Sequence, residues 1–189
     1  MATGFSGASA NAGSLGNFNE FDGQGGNDII TGNGNTQIVY GSATAGVTVN
    51  LAAGTAVGNA SVGTDTILGG VSRVLGSDFN DTLIGNEFNN VLNGQGGNDI
   101  IDGAAGTDTL TGGGGTDTFV FADGFGFDTI TDFNQAQADK IDLTGVTTVT
   151  DFATLQNLAT QSGANTVIDF GSGNVLTLNN VTLANLTAK

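Results

Sequence analysis

The chain has 189 residues, 33 of them glycine, with no proline, cysteine or histidine, and a formal charge of −15 from 18 acidic side chains against Arg73, Lys140 and Lys189. That charge repels phosphate backbones and anionic lipid, which excludes nucleic acid and membrane surfaces as partners, and no run reaches the ~18 apolar residues of a membrane span. Without cysteine or histidine the chain can build no disulfide, thiolate metal site, zinc-protease centre, serine triad or thiol nucleophile.

Residues 1–22 read as a degenerate N-terminal segment, and Met1 to Ser14 shows neither the basic region nor the apolar run of a Sec signal peptide. Residues 23–31 (GQGGNDIIT) form the first complete nine-residue block, and 32–40 (GNGNTQIVY) a degenerate one with Gln37 in the sixth place. Alternation over Val47-Thr48-Val49-Asn50-Leu51 predicts a strand. Residues 60–68 (ASVGTDTIL) make another block, with Asp65 sixth and Ile67 eighth; 69–75 is two residues short, so the coil continues through one tightened turn. Residues 23–75 thus form a first section.

From 76 to 120 five blocks follow without insertion: GSDFNDTLI, GNEFNNVLN, GQGGNDIID, GAAGTDTLT and GGGGTDTFV. Glycine opens each, an acidic or amide residue is sixth, and an apolar residue (Leu83, Leu92, Ile101, Leu110, Phe119) is eighth. A nine-residue period fits neither an amphipathic helix nor an ordinary alternating strand; it fits a tight turn followed by a short strand, repeated. The octet GQGGNDII at 23–30 recurs identically at 94–101, which points to a duplicated larger unit. After Val120 the beat fails, and residues 121–189 read as a cap. Within it, 151–160 (DFATLQNLAT) predicts a short helix capped by Thr150 or Asp151, and 165–170 with 174–178 predicts a hairpin around Gly171-Ser172-Gly173. A solenoid needs such a cap to cover its last open edge.

The turn composition points to a cation. Glycines reach left-handed conformations that can turn carbonyl oxygens toward one point, and the sixth-place aspartate adds a charged oxygen. Calcium takes six to eight hard oxygen ligands in flexible geometry, more than one loop offers, so adjoining loops would share each ion. Almost all the carboxylates are aspartate, and packing them together costs stability unless cations lie between them. With two strands per coil the true period is eighteen residues. One column then holds Asp65, Asp81, Asp99 and Asp117, and the other Asn90 and Asp108, extended by Asp128. Asn90 lacks the charge and weakens its site, and the thin core couples metal binding to folding.

On these motifs the chain resembles the RTX, or haemolysin-type, calcium-binding repeat family of Gram-negative bacteria. Residues 40–60 are similar to the segment that often precedes RTX blocks, and 112–133 with 138–143 to the exit of the roll in RTX proteases. The resemblance implies an all-β, right-handed parallel β-roll, a β-solenoid of calcium-binding nonapeptides with a small C-terminal cap containing the hairpin and the short helix. It further implies folding on extracellular calcium, secretion through type I machinery and an extracellular location. Carried onto this sequence, the side-chain ligands would be Asp28, Asp81, Asp99, Asp108 and Asp117. Carbonyls would come from Gly23, Gly25 and Gly26, from Gly94, Gly96 and Gly97, from Gly103, Ala105 and Gly106, and from Gly112, Gly114 and Gly115.

Two functional readings follow. The first is a non-catalytic calcium-binding module of a secreted protein. The second is a structural surface protein, an adhesin or a layer or fibre subunit, that self-associates in calcium. Two-carboxylate glycosidase chemistry is disfavoured, because the aspartates occupy repeat positions and no tryptophan offers a sugar platform.

Overall fold

A computed structural model describes residues 10–11 and 18–188. The first strands are β1 (Ala10–Asn11), β2 (Asn19–Asp22), β3 (Ile29–Thr31) and β4 (Thr36–Val39), followed by β5 (Thr48–Asn50), β6 (Thr55–Val57), β7 (Thr64–Ile67) and β8 (Val71–Leu75). The five blocks give β9 (Thr82–Asn86), β10 (Val91–Gly96), β11 (Ile100–Ala104), β12 (Thr109–Gly114) and β13 (Thr118–Ala122). Then come β14 (Phe127–Ile130), β15 (Lys140–Gly145), helix α1 (Phe152–Leu158), β16 (Ala159–Ser162), β17 (Asn165–Gly171), β18 (Asn174–Leu178) and a 3₁₀ turn, Leu183–Asn185.

From β1 to β5 and from β7 to β15, successive strands alternate between two sheets. Sheet I runs β1-β3-β7-β6-β5-β9-β11-β13-β15, and sheet II runs β16-β17-β18-β14-β12-β10-β8-β4-β2. Within the five blocks pairing is parallel: Ile101 faces Leu83 on one side and Phe119 on the other, and Leu92 lies beside Val74 and Leu110. The eighth-place residues Leu83, Leu92, Ile101, Leu110 and Phe119 are all fully buried between the sheets. The molecule is a parallel β-roll, as the nine-residue beat predicts.

The roll is longer than the unbroken beat. Strands β14 and β15 continue sheets II and I past Val120, because Ile130 pairs with Leu110 and Ile141 with Phe119. Residues 123–126 and 131–139 lengthen the turns, yet leave the inward residue in register. At the other end, β2 already pairs in parallel with β4, so coiling begins before Gly23; most of the 1–22 segment lies outside the described residues.

One departure has consequences for the site. Strand β5 falls on the predicted alternation, but β5, β6 and β7 form an antiparallel meander where a single strand would otherwise stand. Strand β7 pairs with β3, and β5 pairs with β9. Sheet I therefore gains two strands that sheet II lacks. The nine-residue template misses β6 because Thr55-Ala56-Val57 carries no block glycine or aspartate.

The cap forms as the local sequence suggests. Asp151 caps α1 by accepting from the Thr154 amide (2.7 Å) and hydroxyl (2.8 Å). Strands β17 and β18 make an antiparallel hairpin, and β18 adds in parallel to β14, which carries sheet II on to an edge at β16. Phe125 packs edge-on to Phe121 and to Phe170 (5.0 and 5.5 Å), joining roll to cap. Among the described residues no helix is long and apolar enough to cross a membrane.

Candidate metal centre

The sixth-place residues stack at the two edges where the chain passes between sheets. In one column the Asp81 amide donates to Asp99 Oδ1 (2.8 Å), the Asp99 amide to Asp117 Oδ1 (2.9 Å), and the Asp117 amide to Asp139 Oδ1 (3.1 Å). In the other, the Asn90 amide donates to Asp108 Oδ1 (2.7 Å) and the Asp108 amide to Asp128 Oδ1 (2.9 Å). Each carboxylate thus spends one oxygen on the coil before it. The second oxygen, Oδ2, of Asp99, Asp108, Asp117 and Asp128 is buried with no hydrogen-bond partner. A buried carboxylate oxygen without a donor costs ~1–3 kcal/mol or more, so four of them on one short roll mark places built for a cation.

The glycine pattern fits the same recess. A Cβ at Gly94 would collide with Asp99 Oδ2 and come within 2.8 Å of the Gly112 carbonyl; one at Gly112 would collide with Asp117 Oδ2, and one at Gly103 would lie 2.5 Å from Asp108 Oδ2. The opening glycine is therefore required by the carboxylate five residues later. The fourth-place glycines Gly26, Gly97, Gly106 and Gly115 have φ between 108° and 139°, a left-handed conformation that side chains rarely adopt. In the five-block run the third place is slack, with nothing nearer than 3.7 Å to a Cβ on Gly96, which is why Ala105 is accommodated there, whereas a Cβ on Gly25 would lie 2.7 Å from the Ala60 carbonyl.

Burial dominates the electrostatics. It pushes Asp99 up to about 7 and Asp108 to about 6; amide bonds from Asp81 and Asn90 oppose the rise, and the charges of Asp81 and Asp117 add to it at Asp99. Burial first, then the Asp108 charge, carries Asp128 to about 8. Asp81 and Asp117 are raised by the same cause. Without a cation these groups hold protons that aqueous aspartates would have lost.

Among the described residues no three acidic side chains converge on one point. The aspartates stand in file, one per coil, so an ion here would draw most of its oxygens from backbone carbonyls. That donor set is hard and all-oxygen, the kind calcium takes and softer metals do not.

Several expected positions differ. Asp65 is not the neighbour of Asp81, because β5 and β6 intervene; its Oδ1 accepts from the Asp28 amide (3.0 Å) instead. The place beneath Asp81 is taken by Val47, whose amide donates to Asp81 Oδ1 (2.8 Å). Asp128 does join the Asn90–Asp108 column. Sequence reasoning missed Asp139, which extends the Asp81 column, and Asp132, whose two oxygens accept from the Gly112 and Gly113 amides (3.0 and 2.8 Å). Asp139-Lys140-Ile141 repeats the aspartate-x-apolar signature, which would have found it. A fifth-place ladder was also missed: Asn80 Oδ1 accepts from the Asn98 amide, and Asn98 Oδ1 from the Thr116 amide (both 2.8 Å).

The family model described as "RTX calcium-binding nonapeptide repeat (4 copies)" matches residues 16–44, 75–110 and 104–128. These stretches are similar to RTX calcium-binding repeats. The matched stretches contain the sixth-place aspartates Asp28, Asp81, Asp99, Asp108, Asp117 and Asp128, and omit the meander with Asp65. Among solved structures the chain is similar to the extracellular lipase LipA from Serratia marcescens, at 20% identity over 89% of this chain and a TM-score of 0.37. It spans 37% of the length of that lipase. A search of curated proteins finds no match.

Proposed function

We propose that this chain is a non-catalytic calcium-binding module of a secreted protein, which completes its fold on extracellular calcium and supports export through type I machinery. The observation that carries the reading is the set of four stacked aspartates, Asp99, Asp108, Asp117 and Asp128, each with one buried oxygen that no protein group satisfies. These side chains, with carbonyls of the Gly94–Gly97, Gly103–Gly106 and Gly112–Gly115 turns, are the proposed ligands. Calcium, when bound, supplies positive charge between carboxylates that otherwise repel. The chain's part is to hold those oxygens in file, through the amide of each preceding coil, and to exclude water by burying them beside the eighth-place core.

Far-UV circular dichroism during a calcium titration tests this. The expected result is a gain of β-structure between chelator and millimolar calcium; an identical spectrum throughout would defeat the proposal. Secretion is tested separately, by export of the full chain from cells with and without a type I transporter.

A further inference from the structure

Asp65 and Asp81 do not share the open oxygen. Asp65 Oδ2 accepts from the Tyr40 hydroxyl (3.2 Å), and Asp65 Oδ1 from the Asp28 amide, so both oxygens are used. The Tyr40 ring is fully buried and lies against Gly23, where a Cβ would collide with it. At Gly94, Gly103 and Gly112 that same place is filled by the carboxylate oxygen of the block itself. Ring and hydroxyl together occupy the recess.

Asp81 is closed by different means. Its Oδ2 accepts from the Ser77 amide (2.6 Å), and its Oδ1 from the Ser77 hydroxyl (2.7 Å) and the Val47 amide (2.8 Å). Ser77 holds the second place of its block, where later blocks carry Gln95, Ala104 and Gly113, none of which donates to the aspartate. At Asn90 the Oδ1 accepts from the Asn86 amide (2.8 Å), which leaves Nδ2, a donor, buried without a partner. None of Asp65, Asp81 and Asn90 has a side-chain oxygen left open for a cation.

We infer that the chain is built in two halves with different metal requirements. The coils closed by Tyr40 and Ser77, from β4 to β9, stand without a cation, and the coils from Gly94 to Asp139 need one. The inference rests on the calcium reading above and says where in the chain that requirement ends. The first half also has its own core in the meander, where Val49, Leu51, Ala56 and Val62 are buried.

The chain's scarcity of cations supplies the test. Lys189 is terminal, so trypsin has two internal bonds to cut, after Arg73 and after Lys140. Arg73 lies in β8 between β4 and β10, in the closed half; Lys140 begins β15, beside Asp139. Fragment masses are followed in calcium and in chelator, with trypsin activity matched on a small substrate. Cleavage tracks the population of the opened state, so calcium should slow the Lys140 cut by about tenfold or more and the Arg73 cut by less than about threefold. Equal slowing at both bonds overturns the inference and leaves the calcium reading intact. No calcium effect at either bond overturns both.

Two further measurements isolate Tyr40. It is the sole tyrosine and there is no tryptophan, so its near-ultraviolet circular dichroism reports the first half alone. A native signal retained in chelator supports the inference, and collapse to the urea-unfolded value overturns it. Tyr40→Phe keeps the ring but leaves Asp65 Oδ2 buried without its donor. It should accelerate the Arg73 cut in chelator by about tenfold while the calcium effect at Lys140 persists. An Arg73 rate unchanged by Tyr40→Phe would remove the hydroxyl from its closing role.

Discussion

Acid should replace calcium in part. Burial raises Asp99 to about 7, Asp108 to about 6 and Asp128 to about 8 in the folded, metal-free roll, against ~3.9 for an aspartate in an unfolded chain. Between those limits the folded state binds more protons than the unfolded one, so stability falls as pH rises. The contribution is fully present below about pH 4 and is lost as pH climbs through 6 to 8. From pH 5 to pH 8 Asp99 loses about two units, Asp108 about one and Asp128 about three, which at ~1.4 kcal/mol per unit is about 8 kcal/mol. Asp108 and Asp128 share one contact that this figure counts twice, so about 8 kcal/mol is an upper bound, comparable to the whole stability of a small domain. In chelator, far-UV circular dichroism should show β-structure gained between pH 8 and pH 5, centred between about 6 and 7. The range stays above the pI of about 4.1, so the chain remains anionic. In saturating calcium the change over pH 6 to 8 should vanish, because the ion holds the carboxylates ionised. A chelated chain with the same spectrum at pH 5 and pH 8, or one that unfolds on acidification, would refute the reasoning.

Gly94→Ala should raise the calcium midpoint by about tenfold or more, because its Cβ enters the space of Asp99 Oδ2, whereas Gly96→Ala should change stability by no more than ~0.5 kcal/mol; calorimetric titration of both variants checks this. Asp99→Asn should raise the midpoint by about tenfold and Asp108→Asn by a few-fold, since Asp99 lies between Asp81 and Asp117 while Asp108 has Asn90 on one side; equal shifts would count against the column arrangement. Leu110→Ala, fully buried between Leu92 and Ile130, should cost ~2–5 kcal/mol in urea unfolding at saturating calcium. The calcium-loaded chain should scatter light as a monomer, because the antiparallel β16–β17–β18 segment ends the parallel stacking of sheet II on a short edge strand; regular large assemblies would instead favour the self-associating surface protein.

The roll was legible wherever the stacking offset is constant. Between Asp81 and Asp99, Asn90 and Asp108, or Asp99 and Asp117 the offset is 18 residues, and the same glycine, carboxylate and apolar contacts recur. Where turns lengthen the offset becomes 20, from Asp108 to Asp128, or 22, from Asp117 to Asp139, and a fixed template slips although the stacking persists. Between Asp28 and Asp65 it is 37, and only the folded meander reveals that these two are neighbours.

The fate of each carboxylate is harder to read, because it is decided by residues outside the motif's defining places. Asp81 and Asp99 occupy the same position in their blocks, yet Asp81 meets a serine at the second place and Asp99 a glutamine whose amide turns away to the Gly76 carbonyl. Asp65 depends on a tyrosine 25 residues earlier, brought in by the meander. A nonapeptide motif specifies that an aspartate will be buried at the coil edge; it does not specify what answers its charge. A hydroxyl and an amide can do so from within the chain, and where neither reaches, the second oxygen is left for an ion. The metal requirement of such a roll is therefore set coil by coil, by whichever donors the variable places supply.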